Sequence, residues 1–103
     1  MSYAIAVTAH DGQTLLVGCQ LSGTGTVTLY DDPGCTQPST VPTVSAYRGT
    51  THTRTFYVAA AGTYLVPCTD QMGQVYQADD VTVSATQPAQ VGPFTPGQDT
   101  DND

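Results

Sequence analysis

The sequence predicts an antiparallel, all-β sandwich of about seven short strands, and three observations carry that prediction. The 103-residue chain has no Lys, no Glu and no Trp; its acids are all Asp, and its only Lys or Arg residues are Arg48 and Arg54. Helix surfaces are built largely from Glu, Lys, Gln and Arg, which lose little freedom on a helix. A chain lacking two of these and rich in Thr and Val favours strands and turns. Strand-like segments recur about every ten to twelve residues, separated by Gly, Pro and Asp. No window shows sustained apolar spacing at i, i+3 and i+4, so no helix longer than a turn is predicted.

The first strand covers Ser2 to Thr8, with Tyr3, Ile5 and Val7 on one face. His10 to Gln13 turns the chain, and Asp11-Gly12 is a hairpin dipeptide. The second strand runs from Thr14 to Leu21 and aligns Leu15, Val17, Cys19 and Leu21. Ser22 to Gly25 turns again. The third, Thr26 to Tyr30, places Val27 and Leu29 inward and stops at Asp31-Asp32-Pro33-Gly34. Pro38 and Pro42 bracket a stiff stretch. A weaker fourth strand, Val41 to Tyr47, is assigned to an edge because Pro42 cannot donate to a ladder. The fifth, Thr51 to Ala59, alternates Thr53, Thr55 and Tyr57 with Arg54, Phe56 and Val58. The sixth, Thr63 to Thr69, aligns Tyr64, Val66 and Cys68. The last strand material is Val75 to Ala78 and then Asp80 to Ala85.

These segments fill one domain, residues 1–85, a size at which a single core is feasible without cross-links. Composition changes at Thr86. Residues 86–103 are rich in Pro and Asp and carry one aromatic, Phe94, so this stretch is expected to be a disordered tail or an extended arm laid on a neighbour. Val91 and Phe94 are its apolar anchors if it is an arm.

Two Arg against nine Asp give a formal charge of −7. Phosphate binding needs clustered cations, so nucleic acid is excluded as a partner, and anionic membrane surfaces are excluded likewise. No apolar run approaches the roughly 18 residues of a transmembrane helix. The N-terminus lacks the basic and apolar regions of a signal peptide, so synthesis in a cytoplasm is expected, with any exit by assembly into a particle. Cys19, Cys35 and Cys68 are odd in number and widely spaced, which suits free thiols in a reducing compartment.

Chemistry-bearing residues are sparse. His10 and His52 lie in or beside turns, and no nucleophile elbow occurs, so no enzyme is expected. No Cys-x-x-Cys pair offers zinc ligands, and no cofactor is expected. Asp31 and Asp79, at loop tips, are the best calcium ligands on offer, beside the terminal acids 99–103; Asp pairs that simply end strands are the competing reading. Tyr30, Tyr47, Tyr57 and Tyr76 could present rings to a sugar or pack the sheets. An interface accounts for more of the sequence: Arg48 and Arg54 supply charge, Tyr47 and Tyr57 supply area, and Phe94 anchors the arm.

The segment Ala61-Gly62-Thr63-Tyr64-Leu65-Val66-Pro67-Cys68 resembles the turn into the sixth strand of immunoglobulin-like domains, where a Tyr caps the corner by bonding to upstream backbone. The resemblance implies that Cys19 and Cys68 sit where that family's bridging pair sits, as a disulfide or as two buried thiols facing each other across the core. The chain lacks the family's core Trp, with Leu29 the nearest stand-in, and Tyr64 precedes Cys68 by four residues rather than two. The turn at 22–25 is short enough to join strands within one sheet. Another sandwich topology and a small barrel are the alternatives. A small acidic sandwich with a polar tail also resembles the accessory and decoration proteins of tailed-phage capsids. That resemblance implies a non-enzymatic virion protein on the capsid surface, bound to the major capsid protein, another virion protein or a second copy of itself. An adhesive or carbohydrate-binding module on a particle or fibre is the alternative.

Overall fold

The computed structural model describes residues 1–21 and 25–95. Among them are nine strands and no helix: β1 (Tyr3–His10), β2 (Thr14–Val17), β3 (Gln20–Leu21), β4 (Gly25–Thr26), β5 (Thr43–Ser45), β6 (Thr51–Val58), β7 (Gly62–Thr69), β8 (Val75–Val83) and β9 (Ala89–Val91). They form two sheets packed as a sandwich, as the sequence predicts. One sheet has the order β6-β1-β9. In the other, β7 is flanked by β8 on one edge and by β2 and β3 on the other, with β5 outside β2 and β4 outside β3.

The strand count exceeds the expected seven by two, because the second expected strand is split into β2 and β3 and because β9 lies beyond the expected domain. β2 and β3 are one line of chain along β7, since Leu16↔Thr69, Val17↔Cys68, Gln20↔Leu65 and Leu21↔Tyr64 keep a single register. Gly18 interrupts it, close against Pro67, which has no N–H to donate. The third expected strand is likewise divided. Gly25–Thr26 pairs with β3, whereas Tyr30 exchanges backbone bonds with Tyr57 of β6 in the other sheet. The chain therefore crosses between sheets at 27–29, and Leu29 enters the core on the way.

Alternation reads the faces correctly. Ile5, Val7 and Ala9 of β1, Leu15 and Val17 of β2, Phe56 and Val58 of β6, and Tyr64, Val66 and Cys68 of β7 are all buried. In β8 the parity switches: Tyr76 and Ala78 face inward, then Val81 and Val83. The register with β7 shifts by one residue between Tyr64↔Val81 and Val66↔Ala78, and Asp80 has φ +54°. Asp79-Asp80 is thus a β-bulge inside one strand, which returns the apolar side chains to the core. Tyr64 bonds its hydroxyl to the Ala60 carbonyl at 2.6 Å, the corner cap implied by the resemblance.

Three expectations are corrected. Asp11 and Gly12 both take positive φ, as a tight hairpin turn requires, yet β1 and β2 do not pair. The turn is a corner between sheets; β1 pairs with β6 throughout and β2 with β7. Secondly, Cys19 and Cys68 do not face each other from opposite sheets. Cys19 lies between β2 and β3, which both pair with the β7 strand that carries Cys68, and both thiols are free and buried. Thirdly, the domain does not end at Ala85. β9 pairs in parallel with β1 through Ile5↔Ala89, Ala6↔Gln90 and Val7↔Val91. Val91 is buried, and Phe94 stacks on Tyr76 with ring centroids 5.2 Å apart. Its carbonyl accepts bonds from His10 Nε2 at 2.6 Å and from the buried Gln13 Nε2 at 3.0 Å. The apolar anchors of the supposed arm are core residues of their own chain.

Candidate docking surface

The turn joining β5 to β6 carries the most exposed aromatic side chain of the described residues. Tyr47 is 87% exposed, and Arg48 beside it is exposed. The turn closes through bonds from Thr50 N and Thr50 Oγ1 to the Tyr47 carbonyl, at 3.0 and 2.8 Å. Gly49 has φ +79°, which a side chain would strain. The 10–13 corner then pins the turn from below: Gly49 N donates to Asp11 Oδ1 at 3.0 Å, and Asp11 N donates to the Thr50 carbonyl at 2.9 Å. Tyr47 and Arg48 are therefore exposed side chains on a backbone held by hydrogen bonds. Beside them lies a hollow of about 620 Å³ lined by Thr14, Ser45, Ala46, Tyr47, Thr50, Thr51 and His52. Its lining combines Thr and Ser hydroxyls with the methyl groups of three Thr and Ala46, and two rings.

The structure separates the five interface residues named from the sequence. Tyr47 and Arg48 stand together on this turn. Arg54 does not join them. It shares the inward parity of Phe56, and its guanidinium carbon lies 4.7 Å from that ring's centroid. Nη1 donates to the carbonyls of Val41 and Thr43, at 3.0 and 2.7 Å; Nη2 donates to Asp31 Oδ1 at 2.9 Å and to Ser39 Oγ at 3.3 Å. Arg54 is thus a clamp between sheets, and Arg48 is the one guanidinium with no partner among the described residues. Tyr57 is half-buried on the outer face of β6, ten residues from Tyr47 in sequence and about 20 Å along the strand from its start. Phe94 is unavailable to a partner because it is buried.

The remaining sequence candidates have structural roles. Asp31 is occupied by Arg54, and Asp79 accepts a bond from Gln77 Nε2 at 3.0 Å. Among the described residues no three His, Cys, Asp or Glu side chains gather as a metal site would need; the acids at 99–103 lie outside the described residues. Burial pushes the thiol of Cys19 up to about 11 and that of Cys68 up to about 12, the direction of inert core thiols. Cys35 lies in the 31–39 loop. Desolvation, and then the neighbouring Asp32 carboxylate, raise its thiol, opposite to the shift an activated nucleophile needs. Asp32 itself organises that loop. It accepts bonds from Thr36 Oγ1, Thr36 N and Gln37 N, and the Thr36 hydroxyl foremost holds its carboxyl below the usual range.

Sequence reasoning did not find the hollow. Thr14, Ser45 and Thr51 belong to three different strands, and no local signal marks them as neighbours. Nor did it find the buried Gln13, whose side chain bridges His10 N to the Phe94 carbonyl. No protein-family model, curated protein or solved structure matches this chain.

Proposed function

We propose that this protein is a non-enzymatic structural component that docks on a larger protein assembly, a tailed-phage capsid, through the turn carrying Tyr47 and Arg48. The observation that carries the proposal is the exposed Tyr47 on a backbone tied down on both sides. Fixing the turn in advance lowers the entropy lost on binding, and Tyr and Arg are the residue types most enriched at binding hot spots. Arg48 calls for a carboxylate on the partner, and Tyr47 for an apolar slot. The chain's surplus of acids, −7 in all, disfavours acidic surfaces elsewhere and leaves Arg48 to set orientation. A small domain that binds only the assembled subunits stabilises the assembly by mass action.

The test is sedimentation of lysate from the native source, with mass spectrometry of each fraction. Co-migration with capsid-sized particles in fixed stoichiometry is the expected result; recovery only in the light fractions rejects the proposal. A second reading, a carbohydrate-binding module, is favoured by one observation: the hollow sets the Tyr47 ring beside the hydroxyls of Thr14, Ser45, Thr50 and Thr51. It predicts glycan binding that Tyr47→Ala abolishes.

A further inference from the structure

One sheet edge lacks the features that keep edges from pairing with other chains. Among the described residues the outermost strands are β4, β5, β6, β8 and β9. β4 has two residues, and β5 and β9 have three each. β8 is long, but the Asp79-Asp80 bulge breaks its line and sets two acids there. β6 is different. It runs eight residues with no Gly, Pro or acid, and its register with β1 has no bulge. Two sets of bonds fix the direction of its backbone groups. Asp11 N donates to the Thr50 carbonyl in the same register, so by alternation His52, Arg54 and Phe56 turn their N–H and C=O towards β1, and Thr51, Thr53 and Thr55 turn theirs away. Tyr57 agrees, since it exchanges both of its bonds with Tyr30 on the outer side. Tyr30 covers only that end. The outward backbone groups of Thr51 and Thr53 meet no partner among the described residues, and both residues are exposed.

We infer that this edge pairs with the same edge of a second copy, antiparallel, about a two-fold axis between the two His52 residues. Thr51 of each copy then lies opposite Thr53 of the other, and each of these pairs exchanges both of its backbone bonds. The pairing stops short of Thr55, beside which the 31–39 loop leaves Tyr30. Unpaired N–H and C=O groups at strand spacing are matched by another extended backbone, and Thr opposite Thr is a favourable cross-strand pair. Charge selects a second copy. Arg48, just before β6, is exposed and without a partner among the described residues, and Asp32, just after Tyr30, is partly exposed at the opposite end of the edge. Antiparallel pairing directs each Arg48 towards the other copy's Asp32, so one contact gains the attraction twice. The other acids near the edge are held, Asp31 by Arg54 and Asp11 by Gly49 N. Between Asp32 and Asp70 the chain carries no acid, so β6 itself opposes no like charge although each copy carries −7. One short strand of contact is a small interface, so the dimer is weak, with a Kd on the order of 0.1–1 mM.

The experiment is sedimentation equilibrium of the full chain from about 20 μM to about 2 mM, which brackets that class. The buffer is at about pH 8, where two facing imidazoles carry no charge. The expected result is a monomer–dimer equilibrium. Thr51→Pro and Thr53→Pro each remove an outward N–H and no rung to β1, so the monomer keeps its fold while association weakens about tenfold or more. Thr53→Val removes the hydroxyl that bonds to Thr8 but keeps the N–H, and it should leave association unchanged. Amide exchange of the native chain is a second readout that needs no variant to fold. The Thr51 and Thr53 N–H groups should exchange freely in dilute sample and gain protection in concentrated sample, with His52 and Arg54 protected in both. A monomer at every concentration, a dimer indifferent to both Pro variants, or Thr51 and Thr53 exchange that ignores concentration would each overturn the inference. Tyr47→Ala, which disables the docking turn, should change none of these results, so failure here and failure of the docking turn are separately visible.

Discussion

Truncating Phe94 to Ala tests whether residues 89–95 belong to the domain. The side chain is 4% exposed and stacks on Tyr76, itself fully buried. Large-to-small substitutions of buried Phe cost about 3–5 kcal/mol through lost transfer energy and the cavity left behind. The lower figure applies here, because the backbone carbonyl bonds to His10 and Gln13 survive the change and the site can partly collapse. At about 4–8 °C per kcal/mol for a domain of this size, a 3 kcal/mol loss lowers the melting temperature by about 12–24 °C. Thermal unfolding followed by circular dichroism, with urea titration alongside, reads the effect. Deleting residues 86–103 should cost more, because Val91 and the β9 ladder go as well and the buried Gln13 loses its acceptor. A drop under about 3 °C for Phe94→Ala, well below that estimate, would mean that the segment does not pack in solution as described and would restore the free-arm reading.

Other expectations follow from the same contacts. Arg54→Ala should destabilise by about 2 kcal/mol, because two carbonyls and Asp31 lose a charged donor; Arg54→Lys should recover less than half, since a single ammonium cannot replace the fork. Denaturant midpoints check both. Gly92→Ala should cost at least about 2 kcal/mol, as φ is +82° and an added Cβ would lie 2.5 Å from the Thr8 carbonyl oxygen. Stability should fall as pH rises from about 9 towards 12. The folded chain keeps the Cys19 and Cys68 protons, at about 11 and about 12, after the unfolded chain has released them near 9.0, so the native advantage is whole below that value and lost above it. The buried hydroxyls of Tyr64 and Tyr76 shift in the same direction. Stability that held or rose across that range would contradict the thiols' burial. In a thiol-reactive dye assay of the native chain, Cys35 should react first and the other two only on unfolding.

Much of the fold was legible because strand faces are local. Alternation places Phe56 and Val58, Tyr64 and Val66, and Leu15 and Val17 correctly, and the division of the last strand material into Val75 to Ala78 and Asp80 to Ala85 falls at the bulge. Pairing is not local. Asp11-Gly12 specifies a backbone conformation but not which strands it joins, so β1 found β6 rather than β2. The C-terminal segment misleads by composition. Its Pro and Asp content suits disorder, and only the distant Tyr76, His10 and Gln13 make Phe94 a core residue. Val91 and Phe94 were still the right residues to single out. For the site, the turn at Arg48-Gly49 is readable, but the strand expected over Val41 to Tyr47 ends at Ser45 and leaves Tyr47 on the turn. The sequestering of Arg54 is not, because Asp31 and Val41 reach it from loop segments and Thr43 from the other sheet.

The measurement that bears most directly on the central claim is particle sedimentation repeated with Tyr47→Ala/Arg48→Ala chain in place of the native one. The docking turn is exposed and makes no core contact, so the doubly substituted protein should melt within about 0.5 kcal/mol of the native chain in stability. The account predicts that it nevertheless leaves the particle fractions and runs as free protein. Full retention of the substituted chain on the particle would show that attachment lies elsewhere and would contradict the claim.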